Sequence, residues 1–126
     1  MHPLKLILFL ALAGAVGTLC RFFCLKLVAG CAAWLPLGTL VVNGLGAFLA
    51  GLLFAVVRNR LQILEPWVPV LMIGFLGAFT TFSTLMLETM NLALAGSWGK
   101  ATWNLLGQNV FGLLAVLGGI AVGRIL

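Results

Sequence analysis

Apolar residues fill this chain in four long runs, separated by short segments rich in polar or turn-forming residues. A helix that crosses a bilayer needs about 20 mostly apolar residues. The runs predict a first helix over roughly residues 4–28, a second over 38–57, a third over 68–94 and a fourth over 101–124. Between them lie a connector at 29–37 that contains Pro36, a polar connector at 58–66 and a turn at 96–100. These connectors are too short for an extramembrane domain, so the reading is a single four-helix transmembrane domain over 1–126.

Small residues recur at four-residue spacing. Ala13 and Gly17 are one pair; Asn43, Ala47 and Gly51 form a row, and Ala115, Gly119 and Gly123 another. Such rows let helix backbones approach closely in lipid, where packing drives association. No strong internal repeat is visible.

Composition narrows the class. Hydrophobic residues make up 63% of the chain and charged residues 7%, against roughly 25% charged in soluble domains. Mean hydropathy is +1.26. So few charges cannot cover a soluble domain. An ordinary cytosolic enzyme, a nucleic-acid module and a disordered chain are excluded, and a multi-pass membrane protein remains. The formal charge of +5 is scattered singly at the ends of apolar runs, where membrane proteins keep their cations. Trp34, Trp67, Trp98 and Trp103 lie near run ends, as interfacial anchors do. Cys20, Cys24 and Cys31 lack the further Cys or His residues that a metal site needs. The apolar N-terminus imitates a signal peptide, but Arg21 and Lys26 precede the apparent cleavage point, and the whole chain is kept.

Charge placement bears on orientation. Lys5, Arg58, Arg60 and Arg124 fall on one side; Lys26 and Lys100 fall on the other, with Arg21 part-way in. Such a weak bias suits insertion both ways up. Four helices also leave little room for an enclosed aqueous path. Both points favour an oligomer, such as an antiparallel dimer.

Polar side chains at membrane depth are costly and face partners or water. In the second helix Thr39 and Asn43 share a face. An Asn amide has two N–H donors and holds an anion without carrying charge; an interhelical hydrogen bond is the other reading. The third helix contains Gly74 and Gly77, then Thr80, Thr81, Ser83 and Thr84. Glycines weaken a helix, and hydroxyls offer its backbone other partners. Either the helix continues, with hydroxyls bonded to the preceding turn, or it breaks mid-membrane. A break frees carbonyls that a bound cation would satisfy. On a dimer two-fold axis, two such carbonyls per chain would give a four-oxygen site. Phe79 and Phe82 are three apart; a ring edge attracts a small anion weakly, though packing is the commoner use of such a residue. Glu88 is the one acid outside a connector, suited to pairing with Arg21 or Lys100 or to a network with Thr84. His2 is the only histidine, and no nucleophilic triad, phosphate loop or metal cluster is present, which argues against an enzyme.

The segments Gly38-Thr39-Leu40-Val41-Val42-Asn43, Gly74-Phe75-Leu76-Gly77 and Thr80-Thr81-Phe82-Ser83-Thr84, followed by Glu88, closely resemble the Fluc (CrcB) fluoride channel family. The resemblance covers nearly the whole chain and is weakest in the fourth helix. It implies an all-α, dual-topology antiparallel homodimer in the bacterial inner membrane with two fluoride pores, exporting fluoride passively from the cytoplasm. It implies a structural sodium ion at the dimer interface, held by the Gly77 and Thr80 carbonyls. Asn43 would donate to fluoride and Phe82 would present its ring edge. Thr39, Ser83, Thr84 and Glu88 would line or support the pore, and Arg21 would draw anions into the vestibule.

Two departures stand out. The family pattern has a second Phe three residues after Phe82, where this chain has Leu85. Leucine fills the space in that pore without a quadrupole. The family also tends to place serines on the fourth helix; here Gln108 or Asn109 offers an amide instead. The rival functions are a small dual-topology multidrug exporter and a non-transporting membrane assembly subunit. The exporter needs a carboxylate in the first helix, and this chain has none there.

Overall fold

The structure is a computed structural model describing residues 2–29, 36–59 and 62–126, and every regular element among them is helical. The elements are α1 (Pro3–Val28), α2 (Leu37–Asn59), a 3-10 helix (Gln62–Trp67), a π-helical segment (Val70–Leu76), α3 (Gly77–Phe79), α4 (Phe82–Leu94) and α5 (Trp98–Ile125). Four stretches are long and apolar enough to cross a membrane: Pro3–Val28, Leu37–Asn59, Val70–Leu94 and Trp98–Ile125. The chain is therefore an all-α, multi-pass membrane protein. Residues 30–35 of the connector expected at 29–37, with Cys31 and Trp34, lie outside the described residues, as do Arg60 and Leu61.

Helix limits differ from the sequence expectation at identifiable places. Pro3 starts α1 because a first-turn proline gives up no helical hydrogen bond. The turn before α5 is shorter than expected, so the helix starts at Trp98. Gly96 takes φ 75, and the Ser97 N–H reaches the Leu92 carbonyl at 2.9 Å while Gly96 N–H reaches Ala93. This C-cap closes α4 within three residues. Within the connector expected at 58–66, α2 continues to Asn59 and the 3-10 helix starts at Gln62; its Trp67 meets Phe9 of α1 edge-on at 4.9 Å.

Glycines set the helix spacing. Gly51 of α2 lies against the Val116 backbone of α5. A methyl on Gly119 would lie 2.7 Å from the Leu52 nitrogen, and one on Gly123 2.8 Å from Ala55 Cβ. A shared seam of glycine thus joins α2 to α5, as small-residue packing in lipid requires. On the other side, Gly17 of α1 abuts the Phe75 carbonyl, and a methyl on Gly74 would lie 2.9 Å from Ala13 Cβ. The apolar side chains left exposed along α1, such as Ile7, Leu12 and Val16, face the bilayer at no cost.

The third span changes form along its length. Gly77 N–H bonds the Met72 carbonyl, five residues back, as a π-helix requires. Helical backbone stops at Phe79 and resumes at Phe82. Between them Thr80 has ψ 162 and Thr81 has φ −150, ψ 107.

Candidate functional site

The extended pair Thr80–Thr81 lies beside α2, where Gly46 makes room for it. A side chain on Gly46 would collide with Thr80 Cγ2. One turn earlier on α2, Asn43 takes both backbone groups of Thr81. Its Oδ1 accepts from Thr81 N–H at 2.8 Å, and its Nδ2 donates to the Thr81 carbonyl at 3.2 Å. The Thr81 hydroxyl caps α4, accepting from Thr84 N–H at 3.3 Å, and lies 2.8 Å from the Thr84 hydroxyl. The Thr80 hydroxyl donates back to the Leu76 carbonyl at 2.9 Å.

These bonds redirect the donors of two carbonyls. In an uninterrupted helix Gly77 C=O accepts from Thr81 N–H, and Thr80 C=O accepts from Thr84 N–H. Here Thr81 N–H goes to Asn43 and Thr84 N–H goes to the Thr81 hydroxyl. Gly77 is exposed and Thr80 half-buried. Two backbone oxygens without their helical donors, at membrane depth, fit a hard cation such as sodium.

A groove of about 480 Å³ runs past this point. Its walls bring together Asn43, Gly77, Thr80, Thr81, Phe82 and Leu85 with Gln108, Asn109 and Gly112 of α5. Phe82 is 70% exposed on it, whereas Leu85 is 5% exposed at its edge. Phe79 turns away into the core, stacked on Phe75 at 5.8 Å. Thr39, Ser83, Thr84, Glu88 and Arg21 are not among the lining residues. Ser83 is exposed and Arg21 half-buried on α1.

Glu88 departs from expectation. The sequence offered Arg21, Lys100 or Thr84 as its partner; the structure pairs it with Thr39, whose hydroxyl donates to Glu88 Oε1 at 2.6 Å. Thr39 is buried, so this bond ties α2 to α4 in the protein interior. Glu88 Oε2 is buried without a hydrogen-bond partner.

Sequence reasoning also left out Thr89 and Asn104. Asn104 is 2% exposed and donates to the Thr89 hydroxyl at 2.9 Å, while Gln108 donates to Asn104 Oδ1 at 2.7 Å. The four-residue step from Asn104 to Gln108 was the available signal. Asn109, the other amide considered, is exposed and bonds back to the Leu105 carbonyl of its own helix.

A family model described as CrcB-like protein, Camphor Resistance (CrcB), matches residues 8–120. The chain belongs to this CrcB-like family. Among curated relatives, one from Magnetococcus marinus is 44% identical over 95% of this CrcB-like chain and 98% of its own length. Others are 38% identical, from Maridesulfovibrio salexigens, and 43% identical, from Nitrosococcus oceani, each over more than nine-tenths of both chains. All three are named fluoride-specific ion channel FluC.

Proposed function

We propose that this CrcB-like chain is a fluoride-selective channel of the bacterial cell membrane that lets fluoride leave the cytoplasm passively. The carrying observation is the Asn43–Thr81 clasp on a groove bordered by Phe82. It gathers amide, hydroxyl and aromatic edge in one uncharged wall, and the relatives' names agree with that use. Fluoride is small and strongly hydrated. A pore for it supplies close donors in place of water, yet holds the ion weakly enough to release it. Neutral donors meet both demands better than a buried lysine.

The working unit is a dual-topology antiparallel homodimer with two pores, its third helix broken at Thr80–Thr81. The open-sided groove and the weak charge bias support this assembly. A second copy across the break would double the Gly77 and Thr80 carbonyls into a four-oxygen site for a structural sodium ion. Asn43 has one amide N–H beyond its bond to Thr81, and that N–H faces fluoride. Thr39 and Glu88 brace the wall from behind. Ser83 and Thr84 support the polar wall around Thr81, and Arg21 draws anions to the vestibule.

Purified protein in liposomes tests this reading. Fluoride should leave electrically, with no proton gradient, and chloride should be held back. A proton-coupled exporter would require the gradient, and an assembly subunit would pass neither ion. Absence of fluoride efflux overturns the channel.

A further inference from the structure

A line of hydrogen bonds joins α4 to α5 behind the groove. Thr89 Oγ1 donates to the Leu85 carbonyl at 2.8 Å, Asn104 Nδ2 donates to Thr89 Oγ1 at 2.9 Å, and Gln108 Nε2 donates to Asn104 Oδ1 at 2.7 Å. Its direction is set at one end. A hydroxyl has a single proton. Thr89 gives that proton to Leu85, so it meets Asn104 only as an acceptor. Asn104 must then turn its nitrogen to Thr89 and its oxygen to Gln108, and Gln108 is left with Oε1 at the free end. That oxygen is buried and unpartnered, in a side chain 8% exposed. A buried acceptor left unsatisfied is costly.

The line has one other ordered arrangement. If the Thr89 hydroxyl turns to Asn104, both amides rotate by half a turn and the free end becomes Gln108 Nε2. Inside the chain this reversed line has one bond fewer, because the Leu85 carbonyl loses the hydroxyl. A bond from Nε2 to a bound acceptor replaces it. Gln108 borders the same groove as Asn43 and Phe82. A halide only accepts hydrogen bonds, so it discriminates between the two arrangements and shifts their populations.

We propose that Thr89, Asn104 and Gln108 form a hydrogen-bond relay of reversible polarity, at rest with the Gln108 oxygen at its free end and turned by a small anion in the groove so that the nitrogen faces it. Thr89 and Asn104 are positioning residues, and Gln108 is the group that meets the ion. The inference rests on the fluoride-channel reading.

The test labels glutamine side-chain amides with ¹⁵N in the protein in bilayers. The chain has two glutamines, Gln62 and Gln108, and loss of one signal in Gln108→Met assigns them. Sodium fluoride should shift the Gln108 amide signal in the parent and in Thr89→Ser, and sodium chloride should not. Thr89→Val removes two bonds of the resting line and one of the reversed line, so it erases the bias toward rest. Without anion its Gln108 signal should already lie displaced from the parent's toward the fluoride-shifted position, and sodium fluoride should move it less than it moves the parent's. A Gln108 signal unmoved by fluoride in a conducting parent overturns the relay and leaves the channel standing, as does a valine variant whose fluoride-free signal and fluoride response both match the parent's. A parent that passes no fluoride overturns the channel reading instead. Should Thr89→Val not fold, the parent's response to fluoride against chloride decides.

Discussion

Asn43 closes on Thr81 with both edges of one amide, taking its N–H at 2.8 Å and giving to its carbonyl at 3.2 Å. The two residues lie 38 positions apart, so this pair fixes the third span against the second. Asn43→Ala removes both partners at once and leaves a buried backbone donor and acceptor, a loss of about 2 kcal/mol or more. Thermal unfolding in detergent should register that loss, and fluoride efflux should fall strongly. Asn43→Asp keeps the acceptor for Thr81 N–H and loses the donor. It should retain more stability than the alanine variant, with efflux still low.

The bond from Thr39 to Glu88 is short and interior. Thr39→Val keeps the shape and removes the hydroxyl that donates to Glu88 Oε1, costing about 1–3 kcal/mol. Glu88→Gln removes the charge and keeps an acceptor. In a double-mutant cycle read by unfolding, the pair should couple by about 0.5–3 kcal/mol. Additive effects would show that the hydroxyl and carboxyl do not interact.

The seam between α2 and α5 predicts a contrast between two glycines of one helix. Gly119→Ala drives a methyl into the Phe48 carbonyl and the Leu52 nitrogen, both backbone atoms that cannot turn aside. It should destabilise by about 1–3 kcal/mol. At Gly99 nothing lies within 4 Å of the added methyl. Gly99→Ala should be neutral, or stabilising by up to about 1 kcal/mol through helix propensity. Melting temperatures of the two variants check this.

Leu85 is buried yet borders the groove. The open side gives a larger ring somewhere to go, so Leu85→Phe should fold and should raise fluoride flux by adding a second ring edge to the path. Efflux rates beside the parent's measure it.

The Gly77 and Thr80 carbonyls make sodium dependence the expected behaviour. Replacing sodium by N-methylglucamine should lower the melting temperature of the purified protein and depress efflux, and restored sodium should reverse both. Insensitivity to the exchange would remove the cation from this site.

The four spans were legible because each apolar run is long and uninterrupted, and length alone separates such runs from soluble helices. The glycine rows were legible as a pattern, but which helix each row met was not. The interface of Gly119 with Phe48 depends on the register of two helices, which no local spacing encodes. The same limit explains Glu88. Its partner Thr39 lies 49 residues away, and nearby cations looked better on charge alone. Thr89 and Asn104 went unread because each is unremarkable on its own helix and acquires meaning only across the α4–α5 contact. The early start of α5 follows from Gly96, whose φ of 75 turns the chain in fewer residues than the sequence suggested.

The two extended residues at Thr80–Thr81 also have an electrostatic consequence. Peptide dipoles run along each helical piece, so the stretch ending at Phe79 offers partial negative charge at its last carbonyls. The piece starting at Phe82 offers partial positive charge at its first N–H groups. Opposite poles therefore meet within one turn, in a medium too apolar to screen them. A backbone interrupted in this way offers a cation one pole and an anion the other without any ionised side chain.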